Sequence, residues 1–285
     1  MRIRRVLQNK SLAVGVIVSS SLVFVAVLAP YVTLYDPLLM DMSHRLERPS
    51  GSHILGTDNF GRDLWARMAY GARLSLGIAL VTVTVSAALG TTVGLVAGYY
   101  GGWIDLLLMR VVDLVLSFPI IILAMALIAV VGPGLFGVAV ALVCVFWAQY
   151  ARVTRAIVLR ERESSYVEAA KAIGASNLRV LGVHILRNAW SPLVVLATLG
   201  LGTAILSESA LSFLGFGVQP PQPSWGWTLS YGLRLLRSDP WLATVSGAAI
   251  MLTVLGFNLL GDGLRSYYER SNVPQGLRKK GQQHA

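Results

Sequence analysis

The spacing of charged residues constrains this chain more than any other feature. Between Lys10 and Asp36 lie 25 residues without a charge, and between Arg73 and Asp105 lie 31. A spanning helix needs about 20 apolar residues, because ~30 Å of hydrocarbon is crossed at 1.5 Å per residue, so each window holds one span. A third window of 38 residues, between Asp113 and Arg152, is interrupted by Gly132-Pro133-Gly134, a turn signal that predicts a hairpin of two helices. Windows of 20 residues between Arg187 and Glu208 and of 22 between Asp239 and Asp262 bring the expected number of spans to six. Residues 209–233 are also uncharged, but Pro220, Pro221 and Pro223 lack backbone donors that lipid cannot replace. That stretch reads as an external loop or a re-entrant segment.

Composition agrees with the windows: 55% of the 285 residues are hydrophobic and 13% charged. The basic leader MRIRRVLQNK resembles the start of a signal peptide, but the apolar run behind it exceeds the usual ~7–15 residues and no small-x-small cleavage pattern ends it. It reads as a retained helix. The single cysteine, Cys144, excludes a disulfide framework. The expected organisation is an all-α membrane protein: a cytoplasmic leader over 1–11, a first span over 12–34 and an external cap over 35–73. A five-helix core follows over 74–264, containing a cytoplasmic loop over 152–190, and the tail covers 265–285.

With the N-terminus inside, six spans return the C-terminus to the same side. Seventeen of the 24 basic residues then face the cytoplasm and seven face outward, as the positive-inside rule requires. The same residues account for the net charge of +10, and no aromatic or Gly-rich recognition motif accompanies them, which excludes a nucleic-acid partner. Trp225, Trp227 and Trp241, with Tyr231, flank the sixth span from outside, as expected of an aromatic belt or, alternatively, of residues that contact substrate.

One polar island lies inside, YVEAAKAIGASNLRVLGVHILRN at residues 166–188. Tyr166, Ala170 and Ile173 follow a helical period, Gly174 is a natural stop, and Ser176 is a good N-cap for a second helix in which Leu178, Leu181 and Ile185 share a face. The pattern predicts two short helices at an angle. The small residues Ala169, Ala170, Ala172, Gly174 and Ala175 let a partner approach the backbone, although packing on the chain's own helix ends explains the pattern equally well.

Glu168-Ala169-Ala170, three residues, Gly174, nine residues and His184-Ile185-Leu186 together resemble the EAA signature of membrane subunits in binding-protein-dependent ABC importers. Arg187 stands where that signature usually has proline, which leaves the second helix free to continue toward Pro192. GTDNFGRDLWARMAYGARLSLGIAL (56–80), YYGGWIDLLLMRVVDLVLSFP (99–119) and SESALSFLGFGVQPPQPSWG (207–226) are similar to the second permease subunit of the dipeptide, oligopeptide and nickel branch. The resemblance implies a type I ABC importer permease fold in a prokaryotic inner membrane. It also implies pairing with a homologous permease subunit as a heterodimer, delivery of solute by an external binding protein, and two cytoplasmic ATPase subunits that use ATP and Mg. Glu168, Ala169, Ala170, Gly174 and Ala175 would couple to those ATPases, and this chain would bind no cofactor itself.

The remaining charges and small residues admit local readings. Arg110 and Asp113 are spaced to pair on one helix face. Glu208, at the end of the fifth span, is a candidate pathway or gate residue, with helix anchoring through Ser207 and Ser209 the favoured alternative. Gly90, Gly94 and Gly98 form a small-xxx-small face suited to close helix packing. No P-loop, HExxH or GxSxG motif is present, so no catalysis is expected. The competing functions are an ion-coupled secondary transporter, which would carry mid-span ionisable residues that are nearly absent here, a permease for nickel or another small solute, and a membrane-anchored scaffold.

Overall fold

The computed structural model describes residues 10–272, and the described residues are almost entirely helical. Most of the expected leader, and the expected tail from residue 273 onward, fall outside them. Helix α1 (Lys10–Val27) is followed by a single turn, Ala29–Val32, and a cap segment that leads into α2 (Leu64–Tyr100). Next come α3 (Gly102–Leu116), α4 (Ile120–Val131) and α5 (Leu135–Glu161). A short α6 (Ser165–Ala172) precedes α7 (Asn177–Phe213), and α8 (Trp225–Arg234) precedes α9 (Trp241–Asn272).

Five helices, α1, α2, α5, α7 and α9, are long and apolar enough to cross a membrane, and the α3–α4 pair supplies a sixth crossing as a bent span. The chain thus has the six-span permease architecture. The third crossing differs from the single helix expected between Asp113 and Gly132. It begins at Gly102 and bends by 96° at the break between Leu116 and Ile120, where Pro119 lacks a backbone donor. The expected Arg110–Asp113 pair is absent. Asp113 instead meets Arg152 of α5 at 2.5 Å, and Asp105 meets Arg155 at 2.5 Å, because the bend lays α3 across α5 and offers cross-helix partners.

Helix α2 spans 37 residues, about 55 Å at 1.5 Å per residue, so it outruns a ~30 Å hydrocarbon layer at both ends. It begins at Leu64, ten residues before the core expected from residue 74. Asp63 caps it by accepting from the Ala66 N–H at 2.7 Å, and that start is covered by the cap segment. There Asp58 is buried between Arg62 at 2.7 Å and Arg67 at 3.3 Å, charges kept out of water only because they are paired. Two of the three tryptophans join elements: Trp225 is buried and donates to the Met68 carbonyl at 3.0 Å, and Trp241 donates to the Leu55 carbonyl at 2.8 Å. They tie α8, α9 and the cap to α2.

Helices α2 and α5 run in the same direction and pack through Gly90, Gly94 and Gly98. A Cβ at these positions would lie 2.2 Å from the Trp147 carbonyl oxygen, 2.5 Å from the Ala151 carbonyl oxygen and 2.7 Å from the Val158 Cβ. The expected small-residue face is a helix interface. Gly94→Val should cost about 1–3 kcal/mol of stability through overpacking, seen as a lower thermal midpoint of the detergent-solubilised protein. Gly77→Val, on the same helix with open space around it, should change the midpoint far less.

Candidate functional site

The loop between α5 and α7 forms a small, separately packed unit at the far end of the bundle from the cap. Val167 and Ala170 of α6, Val180, Leu181 and Ile185 of α7, and Val158 of α5 share an apolar cluster backed by Leu95 and Tyr99 at the end of α2. Tyr99 donates to the Asn177 side chain at 2.7 Å and carries the Lys171 ammonium 5.1 Å from its ring centre. On the other flank, Tyr166 donates to Glu161 at 2.7 Å and Asn188 donates to both. Burial, and then the Glu161 carboxylate, raises the Tyr166 hydroxyl above the ordinary tyrosine value.

The turn inside this unit is a helix stop of defined geometry. Gly174 has φ +84° and donates to the Lys171 carbonyl at 2.9 Å, while Ala175 donates to the Ala170 carbonyl at 3.0 Å. These are the two bonds of a Schellman motif, which needs a residue without Cβ at its left-handed position. Ser176 then accepts from the Arg179 N–H at 3.4 Å and starts α7 as its N-cap.

The second of the two short helices expected from the sequence is not a separate element. α7 passes from Asn177 through a π-helical stretch, Val180–Ile185, directly into the fifth span, and Pro192 is accommodated within the helix. With Arg187 where a proline was expected, no residue interrupts the hydrogen-bond ladder at the junction. The two apolar faces read from the sequence are also divided. Ala170, Leu181 and Ile185 are buried, whereas Ile173 is 86% exposed and Leu178 79% exposed.

Glu168, Ala169 and Gly174 are exposed with those two side chains, Ala175 is half-buried, and Ala170 belongs to the packed underside. The unit thus presents an apolar tip beside one carboxylate. Tyr99, Glu161 and Asn188, which hold the unit, escaped sequence reasoning because their spacing in the chain carries no signal; the one clue was an aromatic pair, Tyr99 and Tyr100, ending an apolar run.

Glu208 is not part of this unit. It lies 31 residues along α7 from Asn177, about 46 Å away at helical rise. Its side chain is fully buried and accepts hydroxyls from Ser75 at 2.7 Å, Ser212 at 2.8 Å and Ser209 at 3.4 Å. Ser75 belongs to α2, so the carboxylate joins two spans, and its cross-helix partner replaces the Ser207 expected from the sequence.

The family described as binding-protein-dependent transport system inner membrane component matches residues 90–272. A dipeptide transport system permease protein DppC of Alkalihalophilus pseudofirmus is 46% identical over 258 residues, covering 90% of this chain and 85% of that protein. A di/tripeptide transport system permease protein DppC of Pseudomonas aeruginosa is 41% identical, covering 90% of this chain and 87% of the relative. A glutathione transport system permease protein GsiD of Pectobacterium atrosepticum is 40% identical over 259 residues, covering 90% of this chain and 86% of the relative. The chain belongs to this family and is a transport permease subunit, not an enzyme.

Two substitutions separate the turn from the buried carboxylate. Gly174→Val should raise amide exchange across 165–180, because a β-branched residue cannot hold the left-handed position, while Gly174→Asn should preserve protection better. Glu208→Leu should leave the Ser75 and Ser212 hydroxyls unsatisfied, costing about 1–3 kcal/mol each. Its thermal midpoint should fall well below that of Glu208→Gln, which can still accept from one of them.

Proposed function

We propose that this member of the binding-protein-dependent transport family is one half of a heterodimeric permease that imports short peptides under the drive of two cytoplasmic ATPases. An external binding protein delivers the solute, and the loop carrying Glu168, Ala169, Ala170, Gly174 and Ala175 docks on an ATPase. The orientation follows from the positive-inside distribution, which puts this loop, the leader and the tail in the cytoplasm. The peptide substrate is supported by two relatives at 41–46% identity that are named as dipeptide and di/tripeptide permeases.

The observation that carries the docking assignment is the exposure of Ile173 and Leu178 on a unit whose underside is otherwise well packed. Large apolar side chains left uncovered on a polar, water-facing unit mark a partner surface. The small residues beside them permit close approach, and α7 carries any displacement of the tip into the fifth span without a hinge loop. ATP and Mg act in the ATPases, whose closure biases the permease between outward-open and inward-open states through different contacts at this tip.

The test is reconstitution with the ATPase subunits. Ile173→Glu and Leu178→Glu place a charge in a contact that must desolvate, so each should weaken ATPase association at least tenfold and abolish uptake, while the permease pair still purifies intact. Charge reversal at Glu168 should weaken association less, since the group is exposed and solvated. Unchanged association in all three variants would remove the docking assignment.

A further inference from the structure

At the cap end, a cavity of about 670 Å³ opens between the turn after α1, the start of the cap segment, the early turns of α2 and the segment before α8. Asp36 and Arg73 both line it, together with Tyr35, Tyr70, Gln222 and Leu34. Both are exposed at the rim: the Asp36 carboxylate accepts only the N–H of Leu38, at 2.8 Å, and the Arg73 guanidinium has no ion-pair or hydrogen-bond partner among the described residues. Their neighbours behave differently: Arg62 and Arg67 are buried against Asp58, and Glu208, joined to α2 at Ser75, is satisfied by hydroxyls. An anion and a cation that line one cavity without pairing leave both charges available to a molecule bearing the opposite pair.

We propose that this cavity is a permease-side binding site for the two charged termini of a short peptide, with Arg73 taking the carboxylate and Asp36 the ammonium. The inference rests on the peptide-importer reading above and adds a site to it. The guanidinium presents a planar fork that matches a carboxylate in two hydrogen bonds. The Tyr70 hydroxyl and Gln222 amide can bond the peptide main chain between the termini, and Leu34, Leu38 and the prolines Pro30, Pro37 and Pro223 give its side chains an apolar wall. The volume lies within the roughly 300–1,000 Å³ of ligand pockets. Arg73 lies two residues before Ser75 on α2, so the cavity is at the same end of that helix as the Glu208 contact.

The experiment uses the complete importer in nanodiscs without its binding protein and a dipeptide containing a photoreactive benzoylphenylalanine. Labelled residues are mapped by mass spectrometry, and uptake of dialanine by proteoliposomes with the binding protein present is measured in parallel. Labelling is expected in the segments carrying Tyr35 and Tyr70, competed by dialanine and not by N-acetyl-dialanine amide. Arg73→Gln and Asp36→Asn should each reduce it about tenfold, the scale of one charge-assisted hydrogen bond, and Arg73→Lys should restore part of it.

Uptake without labelling of these segments would overturn the site while leaving the importer reading intact; absence of both would overturn both. Competition by the blocked dipeptide equal to that by dialanine would overturn the charge recognition. Labelling that responds to added phosphatidylethanolamine and not to dialanine would assign the cavity to a lipid headgroup and overturn the peptide site.

Discussion

The contact on which the rest depends is the close approach of α2 and α5 along Gly90, Gly94 and Gly98. In lipid there is little hydrophobic gain from bringing two apolar helices together, so association rests on packing and on the few polar groups that can be matched. Removing three side chains on one face lets the two backbones meet, and a Cβ at any of the three would fall within 3 Å of α5. That contact places the end of α5, with Val158 and Glu161, beside the end of α2, with Leu95 and Tyr99. The loop unit at residues 165–188 packs on both of these helix ends.

Length makes α2 the common member of both ends of the molecule. Its first turns carry the cap through Arg67 and α8 through the Met68 carbonyl, and its last turns hold the loop unit through Tyr99. Helix α7 is equally long and holds the loop tip at one end and Glu208 at the other. The two helices meet through Ser75 and Glu208 near the cap and through Tyr99 and Asn177 near the loop. A rotation of the loop unit relative to α2 is therefore felt along α7 as a rigid element. On that path the backbone ladder departs from α geometry at the π-helical stretch Val180–Ile185, a kind of departure that clusters at functional positions, and loses one donor at Pro192.

The alternation of charged and uncharged windows determined that the chain crosses a bilayer six times, because no other solution satisfies so many apolar residues and their backbone groups. It also located the polar island, the helix stop at Gly174 and the small-residue face of the second span, all of which depend on local conformation or on a periodicity that neighbours in sequence reveal. Tertiary structure alone decided what those features face. The periodic set Tyr166, Ala170 and Ile173 reads as one stripe, yet Ala170 packs on Val158 and its neighbours while Ile173 points away, because the turn at Gly174 carries it off the underside. Arg110 and Asp113 have the right spacing to pair, but the 96° bend brings Arg152 to Asp113, and a bidentate-capable partner on another helix prevails over a neighbour on the same one. Glu208 was visible as an expensive charge near the end of a span, whereas its burial against Ser75 depends on a residue 133 positions away that only folding brings within 2.7 Å.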